Sequence, residues 1–198
     1  GVFKDFLLGK YFSPKREERV FMFLDLKSST TIAEHLGESR YFQFLNDVLK
    51  TITPEILRHD GEIYQYVGDE VVISWKNNST IENGVFIDCF FAIQKSLIDK
   101  LQYFKSTYDR IPIFKAGVHH GSVMAGELGV VKRDIVFSGD VLNTTSRIQN
   151  KCNELGAEIL VSKHLVNLIK KMPEYFHPKS VGSIPLRGKS EPLALFTF

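Results

Sequence analysis

The sequence predicts an α+β domain, and three observations carry that prediction. A continuous apolar run, Val20-Phe21-Met22-Phe23-Leu24, stops at Asp25, as a central strand buried on both faces does. The segments Glu62–Val67 and Glu70–Trp75 flank Gly68-Asp69 and read as a hairpin. Long stretches between and after these strands keep the apolar spacing of amphipathic helices.

Taken in order, Phe3, Phe6, Leu7, Lys10 and Tyr11 recur at helical spacing before Ser13-Pro14, and residues 15–19 read as a charged turn. Residues 1–19 are therefore expected to form an entry segment and linker, with residues 20–198 as one domain. After the first strand, Ser28, Ser29 and Thr30 offer N-caps. Ile32, Leu36, Tyr41, Phe44, Val48, Ile52 and Ile56 then carry helical periodicity broken near Gly37, which predicts two consecutive helices. Asp60-Gly61 turns into the hairpin, whose tip holds Asp69. From 81 to 108 the stripe through Phe86, Cys89, Ile93, Leu97, Leu101 and Phe104 predicts one long helix. Residues 113–120 and 122–128 read as strands joined at Gly121, and Gly139-Asp140 precedes a helix over 141–153. A strand over 158–161, a short helix over 163–171, and closing strands through Val181, Ile184, Leu186 and 193–198 complete the chain.

Composition narrows the function classes. With 43% hydrophobic and 24% charged residues, the chain is an ordinary globular domain rather than a disordered one. A net charge of +2 gives no reason to expect a nucleic-acid partner. Cys89 and Cys152 have no CxxC or Cys/His spacing, so neither a disulfide framework nor a structural zinc is signalled, and a reducing cytosol is expected. No run approaches the ~20 apolar residues that span a bilayer. No GxxxxGK[ST] is present, which disfavours a P-loop enzyme, and no serine or cysteine has a visible base partner.

Asp25 at a buried strand end and Asp69 on a hairpin tip suit a two-metal site if their strands are neighbours, because hard oxygen ligands bind Mg²⁺ or Mn²⁺. A lone aspartate after a strand is more often a cap or turn residue, so the pair needs support. The loop Leu26-Lys27-Ser28-Ser29-Thr30 gives some, since its backbone N–H groups open a helix where phosphate oxygens bind, although plain N-capping explains it equally well. Asn143 and Arg147 lie four apart on one helix face. That pair could orient a sugar oxygen and meet a phosphoryl group, or simply be solvated. Lys189, in LRGKS, could reach a triphosphate. His119 and His120 point to opposite faces of a strand and cannot easily chelate one ion together.

These residues together resemble the catalytic domain of the class III adenylyl/guanylyl cyclases. The phrases that carry the resemblance are 23–30 (FLDLKSST), 66–73 (YVGDEVVI), 117–126 (GVHHGSVMAG), 139–147 (GDVLNTTSR) and 186–192 (LRGKSEP), in the family's order. The resemblance implies a ferredoxin-like, palm-type fold: an antiparallel-rich central sheet flanked by helices. It implies that Asp25, Asp69 and the Leu26 carbonyl hold two divalent metal ions, Mg²⁺ or Mn²⁺. Asn143 resembles the ribose-orienting asparagine, Arg147 the transition-state arginine and Lys189 the triphosphate lysine. The substrate is then a nucleoside triphosphate, expected to be ATP. The family's head-to-tail homodimer takes the metal aspartates from one subunit and the other group from its partner, so a monomer should be inactive. Residues 3–14 resemble the remnant of a transducing segment, which implies a cytoplasmic domain with a membrane or sensory module upstream.

The departure from the family lies at the base. Adenylyl cyclases usually carry lysine, and guanylyl cyclases glutamate, four residues before the second aspartate, where this chain has Gln65. Adenylyl cyclases place Asp or Thr seven residues before the ribose asparagine, where this chain has Val136. Gln65 donates and accepts, so it can meet adenine or guanine, while Val136 offers only packing. GTP and pyrimidine triphosphates stay open. Two rival readings also stand: a palm-type diguanylate cyclase, which FLDLKSST and NTTSR argue against, and a catalytically silent cyclase-like domain, against which all four site residues are present.

Overall fold

Strand β1 (Lys15–Leu26) runs through the middle of a mixed sheet whose order is β2-β3-β1-β4-β6-β8-β7, with β5 paired to β4. The computed structural model describes residues 13–129, 134–185 and 191–198. The segment 3–12, Leu186 and Lys189 lie outside them. The other strands are β2 (Glu62–Val67), β3 (Glu70–Trp75), β4 (Phe114–Leu128), β5 (Asp134–Ser138), β6 (Ile159–Ser162), β7 (Lys179–Ile184) and β8 (Leu193–Thr197). All pairings are antiparallel except β4 with β6. Among the described residues the helices are α1 (Ser29–Leu36), α2 (Glu38–Arg58), α3 (Asn78–Glu82), α4 (Val85–Asp99), α5 (Leu101–Tyr108), α6 (Asp140–Asn150), α7 (Cys152–Leu155) and α8 (Lys163–Val166).

The alternation of β1 sorts the molecule into layers. Val20, Met22 and Leu24 point into the larger core with Phe44, Ile52, Phe86, Phe90 and Phe104 from the helices. Phe21 and Phe23 point the other way, against Val123, Phe137 and Val141. Asp25 shares their parity, so it faces the layer that holds α6.

The expectations met corrections at six places. Residues 15–19 are strand, not turn. Glu17 and Arg19 alternate inward with Phe21, and Arg19 is fully buried, bonded through Nε to Glu17 (2.8 Å) and through Nη1 to Glu62 (2.7 Å) and Ser74 (3.0 Å). Its guanidinium sits 4.7 Å from the Phe137 ring centre. The charges mimic a turn because they neutralise one another inside the sheet.

The long helix over 81–108 is three helices, because Gly84 adopts a left-handed φ of 66° between α3 and α4, and the chain bends again at Lys100. The two strands about Gly121 are one strand. Gly121 is small for another reason: a Cβ there would lie 3.0 Å from Val141 of α6. The helix over 141–153 ends at Asn150, and α7 follows a break at Lys151. Strand β5 was not anticipated, and the short helix over 163–171 ends at Val166.

Candidate active site

The antiparallel register pairs Asp25 with Lys115 across β1 and β4, and the same register pairs Leu24 with Val71 of β3. That brings the end of β1 beside the start of β3, where Asp69 and Glu70 leave the hairpin. The expected neighbourhood of the two aspartates is thus met. Lys115 Nζ lies 3.1 Å from Asp25 Oδ2, and Gln149 Nε2 of α6 donates to the same oxygen at 3.0 Å.

Charge accumulates here. Burial raises the Asp25 pKa; Lys115 opposes this and Asp69 adds to it, for a net upward shift. Glu70 is pushed up to about 7, first by burial and then by the charges of Asp25 and Asp69. Asp69 Oδ2 is buried without a hydrogen-bond partner. A buried carboxylate oxygen left unsatisfied is costly unless a cation meets it. The donor set is oxygen, which fits a hard divalent ion. Among the described residues no three His, Cys, Asp or Glu side chains converge on one metal position. Mg²⁺ does not need such a cage, because it takes one or two carboxylates and fills its octahedron with water and substrate phosphates.

The loop after β1 lies against this centre. Leu26 is buried, while Lys27, Ser28 and Thr30 are exposed and Ser29 is half-buried. Ser28 turns the chain with φ 58° and makes no side-chain cap to α1, so plain N-capping does not explain this loop. Tyr41 of α2 stands beside it, its pKa raised by burial first and then by Asp69 and Asp25, with Ser29 opposing the shift.

Helix α6 lies across the sheet because Gly117 of β4 lets it approach. A Cβ at Gly117 would come within 2.3 Å of the Gln149 backbone nitrogen. At ~100° per residue, Arg147 lies about 160° and Asn143 about 120° around the helix from Gln149. Gln149 is buried toward Asp25, and both Asn143 and Arg147 are exposed. Within one chain they are therefore not brought to the aspartates.

Gln65 is exposed on β2 beside an irregularity in its pairing with β3, and Val136 is half-buried on β5. Their neighbours link the two strands: the Phe137 N–H donates to the Tyr64 hydroxyl at 3.1 Å, and the rings lie 4.7 Å apart. Glu70, Lys115, Gln149 and Tyr41 were not singled out from sequence. Glu70 stood beside Asp69 in the GDE phrase, and Gln149 was the polar residue on the far side of the Asn143/Arg147 helix. Lys115 gave no such signal, because only the strand register pairs it with Asp25.

The model of the family described as the adenylate and guanylate cyclase catalytic domain matches residues 13–197. Adenylate cyclase 2 of Rhizobium meliloti (strain 1021) is 32% identical over 196 residues, covering 99% of this chain and 54% of that protein. Receptor-type guanylate cyclase gcy-13 of Caenorhabditis elegans is 25% identical over 187 residues, covering 92% of this chain and 18% of its own. The chain thus spans about half, or less, of the length of these relatives. Among solved structures, the adenylyl cyclase CyaB from P. aeruginosa superposes with a TM-score of 0.79 at 20% identity, over 93% of this chain and 95% of that one. The guanylate cyclase domain of RhGC from Catenaria anguillulae, in complex with GTP, gives 0.76 at 18% identity, over 93% and 98%. Sheet order and flanking helices are those of a class III cyclase catalytic domain. The chain belongs to the adenylate and guanylate cyclase catalytic domain family.

Proposed function

We propose that this chain is the catalytic domain of a nucleotidyl cyclase that converts ATP to 3′,5′-cyclic AMP and pyrophosphate at sites shared by two copies. The observation that carries the reading is the opposed setting of α6: Gln149 holds Asp25 on one face, while Asn143 and Arg147 stand exposed on the other. A head-to-tail homodimer lets the exposed pair of one copy serve the aspartates of the next, giving two equivalent sites.

In this reading Asp25, Asp69 and the Leu26 carbonyl hold two divalent ions, Mg²⁺ or Mn²⁺. Ions bound there supply Lewis-acid activation of the attacking oxygen and charge neutralisation on the leaving group. The backbone of Lys27, Ser28, Ser29 and Thr30 receives phosphate oxygens. Asn143 of the other copy orients the ribose, and its Arg147 meets the charge that develops on the α-phosphoryl group. Lys189 binds the triphosphate. The reaction forms a bond from the ribose 3′ oxygen to the α-phosphorus and breaks the bond from that phosphorus to the pyrophosphate, with loss of the hydroxyl proton.

ATP is favoured by the name of the Rhizobium relative. A second reading, GTP, is supported by Gln65, whose amide pairs with guanine as well as adenine, and by the guanylate cyclases among the relatives. The receptor-type name of one relative, together with the greater length of both, supports a membrane or sensory module elsewhere in the full-length protein, with this domain cytoplasmic. Among the described residues, no helix is long and apolar enough to cross a membrane. Turnover with ATP, GTP, CTP and UTP under Mg²⁺ and under Mn²⁺, with the product identified, tests the proposal. Cyclic AMP from ATP is expected. A cyclic dinucleotide, or no product from any triphosphate, would overturn it.

A further inference from the structure

Away from the aspartates, three histidines gather around a cleft of about 420 Å³ that is also lined by Ser122, Asp140 and Leu193. His119 and His120 diverge, as adjacent strand residues must. His119 Nδ1 contacts the Ser162 hydroxyl at 2.7 Å, and that hydroxyl also accepts from the Leu165 N–H at the start of α8. The contact fixes α8 against β4. His164 of α8 then meets His120, with His120 Nδ1 and His164 Nε2 3.3 Å apart.

That separation has a chemical meaning beyond an N–H···N bond. Two imidazole nitrogens on one tetrahedral zinc ion, each about 2.0–2.1 Å from the metal, lie about 3.3 Å from each other. The other nitrogen of His120 lies 3.7 Å from the Glu18 carboxylate. That is an electrostatic approach and not a hydrogen bond; a negative charge there still favours a cation on the far nitrogen of the ring. Burial favours neutral His120; Glu18 opposes this and His164 reinforces it, for a net downward shift.

We propose that His120 and His164 form a binding site for a borderline first-row divalent cation of the Zn²⁺ class, with the Glu18 carboxylate nearby and solvent in the cleft completing the coordination. Imidazole selects such ions, whereas the oxygen ligands at Asp25 and Asp69 suit Mg²⁺ and Mn²⁺, so the two sites discriminate by donor softness. Two ligands from the chain rather than three or four make the site exchangeable, unlike a structural zinc. Occupancy would pin β4 to α8 across the cleft.

The test is calorimetric titration of ZnCl₂ into the chelator-treated chain in excess MgCl₂, which keeps the hard-oxygen site occupied. Wild type, Asp25→Ala and His177→Ala are expected to bind Zn²⁺ alike. His164→Ala should bind at least about tenfold more weakly, and Glu18→Gln should weaken binding by less than that. His164 is exposed, so its substitution leaves the fold intact, and a melting curve verifies that. Absence of Zn²⁺ binding by wild type would reduce the pair to an N–H···N hydrogen bond and overturn the proposal. So would His164→Ala binding like wild type, or loss of the signal in Asp25→Ala.

Discussion

Gln149 donates a 3.0 Å hydrogen bond to Asp25 from the helix that turns Arg147 outward. The bond fixes α6 rotationally as well as in position. If Gln149 faces the carboxylate, the ~100° step of the helix leaves Arg147 no way to reach it. The residue that steadies Asp25 thereby keeps the Arg147 guanidinium on the opposite face of α6.

Complementation follows from that arrangement. Asp25→Ala and Arg147→Ala homodimers should each lose turnover by at least about a hundredfold, as removal of a transition-state charge partner does. Mixed in equal amounts and allowed to exchange, half the dimers are heterodimers with one intact site of two, so activity should return to about a quarter of wild type. A cyclase assay across mixing ratios checks this, and a mixture as inactive as its parents would rule out the shared site.

The seat of α6 can be tested separately. Gly117→Ala sets a Cβ 2.3 Å from the backbone nitrogen of Gln149, against atoms that cannot rotate away. Overpacking of this kind costs about 1–3 kcal/mol, which for a chain of this size lowers Tm by about 2–12 °C. Thermal melts should show that drop, and the displaced helix should no longer present the Gln149 amide to Asp25. Gly156→Ala meets nothing within 4 Å and adds only the strain of φ 60°, so it should cost less.

Why the fold was legible and parts of the site were not comes down to the range of the forces involved. The β2–β3 hairpin and the break at Gly37 are written locally, in turn residues and periodicity, and the structure has them where the sequence puts them. Gly121 misled because its smallness answers to Val141, a residue distant in sequence, and not to a turn. Residues 15–19 misled because charge normally marks solvent, while Glu17 and Arg19 compensate one another in the interior. Asp25 and Asp69 are each ordinary alone, since aspartate is common at strand ends and in turns; the phrases FLDLKSST and YVGDEVVI that contain them are what single them out. Lys115 and Gln149 reach Asp25 through strand register and helix packing, which no short stretch of sequence encodes.

Base choice should respond to the two residues that depart from the family. Gln65→Lys with Val136→Asp supplies a charged donor and a charged acceptor where the chain now has an amide and an isopropyl group. A charge-assisted hydrogen bond contributes about 1.5–3 kcal/mol, so the ratio of kcat/KM for ATP over GTP should rise by roughly 10–100-fold. Competition between the two triphosphates in one reaction reads the ratio directly. An unchanged ratio would mean that base recognition lies elsewhere.

The buried pair behind the sheet predicts a pH response. Burial alone would raise the Glu17 pKa, but hydrogen bonds from Lys76 and Arg19 outweigh it and hold the carboxyl below its ordinary value. A carboxyl depressed in the folded state adds stability that is fully present above its unfolded value of about 4.3 and drains away as pH falls through the lower folded value. Stability should therefore be level with respect to this group near neutrality and fall below about pH 4.3. Glu17→Gln should lower stability at pH 7 and flatten the acid limb. Arg19→Ala should cost about 3–5 kcal/mol at pH 7, because it leaves Glu17 and Glu62 without the guanidinium that compensates them. Urea unfolding at pH 7 and pH 4 for the three proteins measures both terms. An acid limb as steep in Glu17→Gln as in wild type would assign the response to other carboxylates.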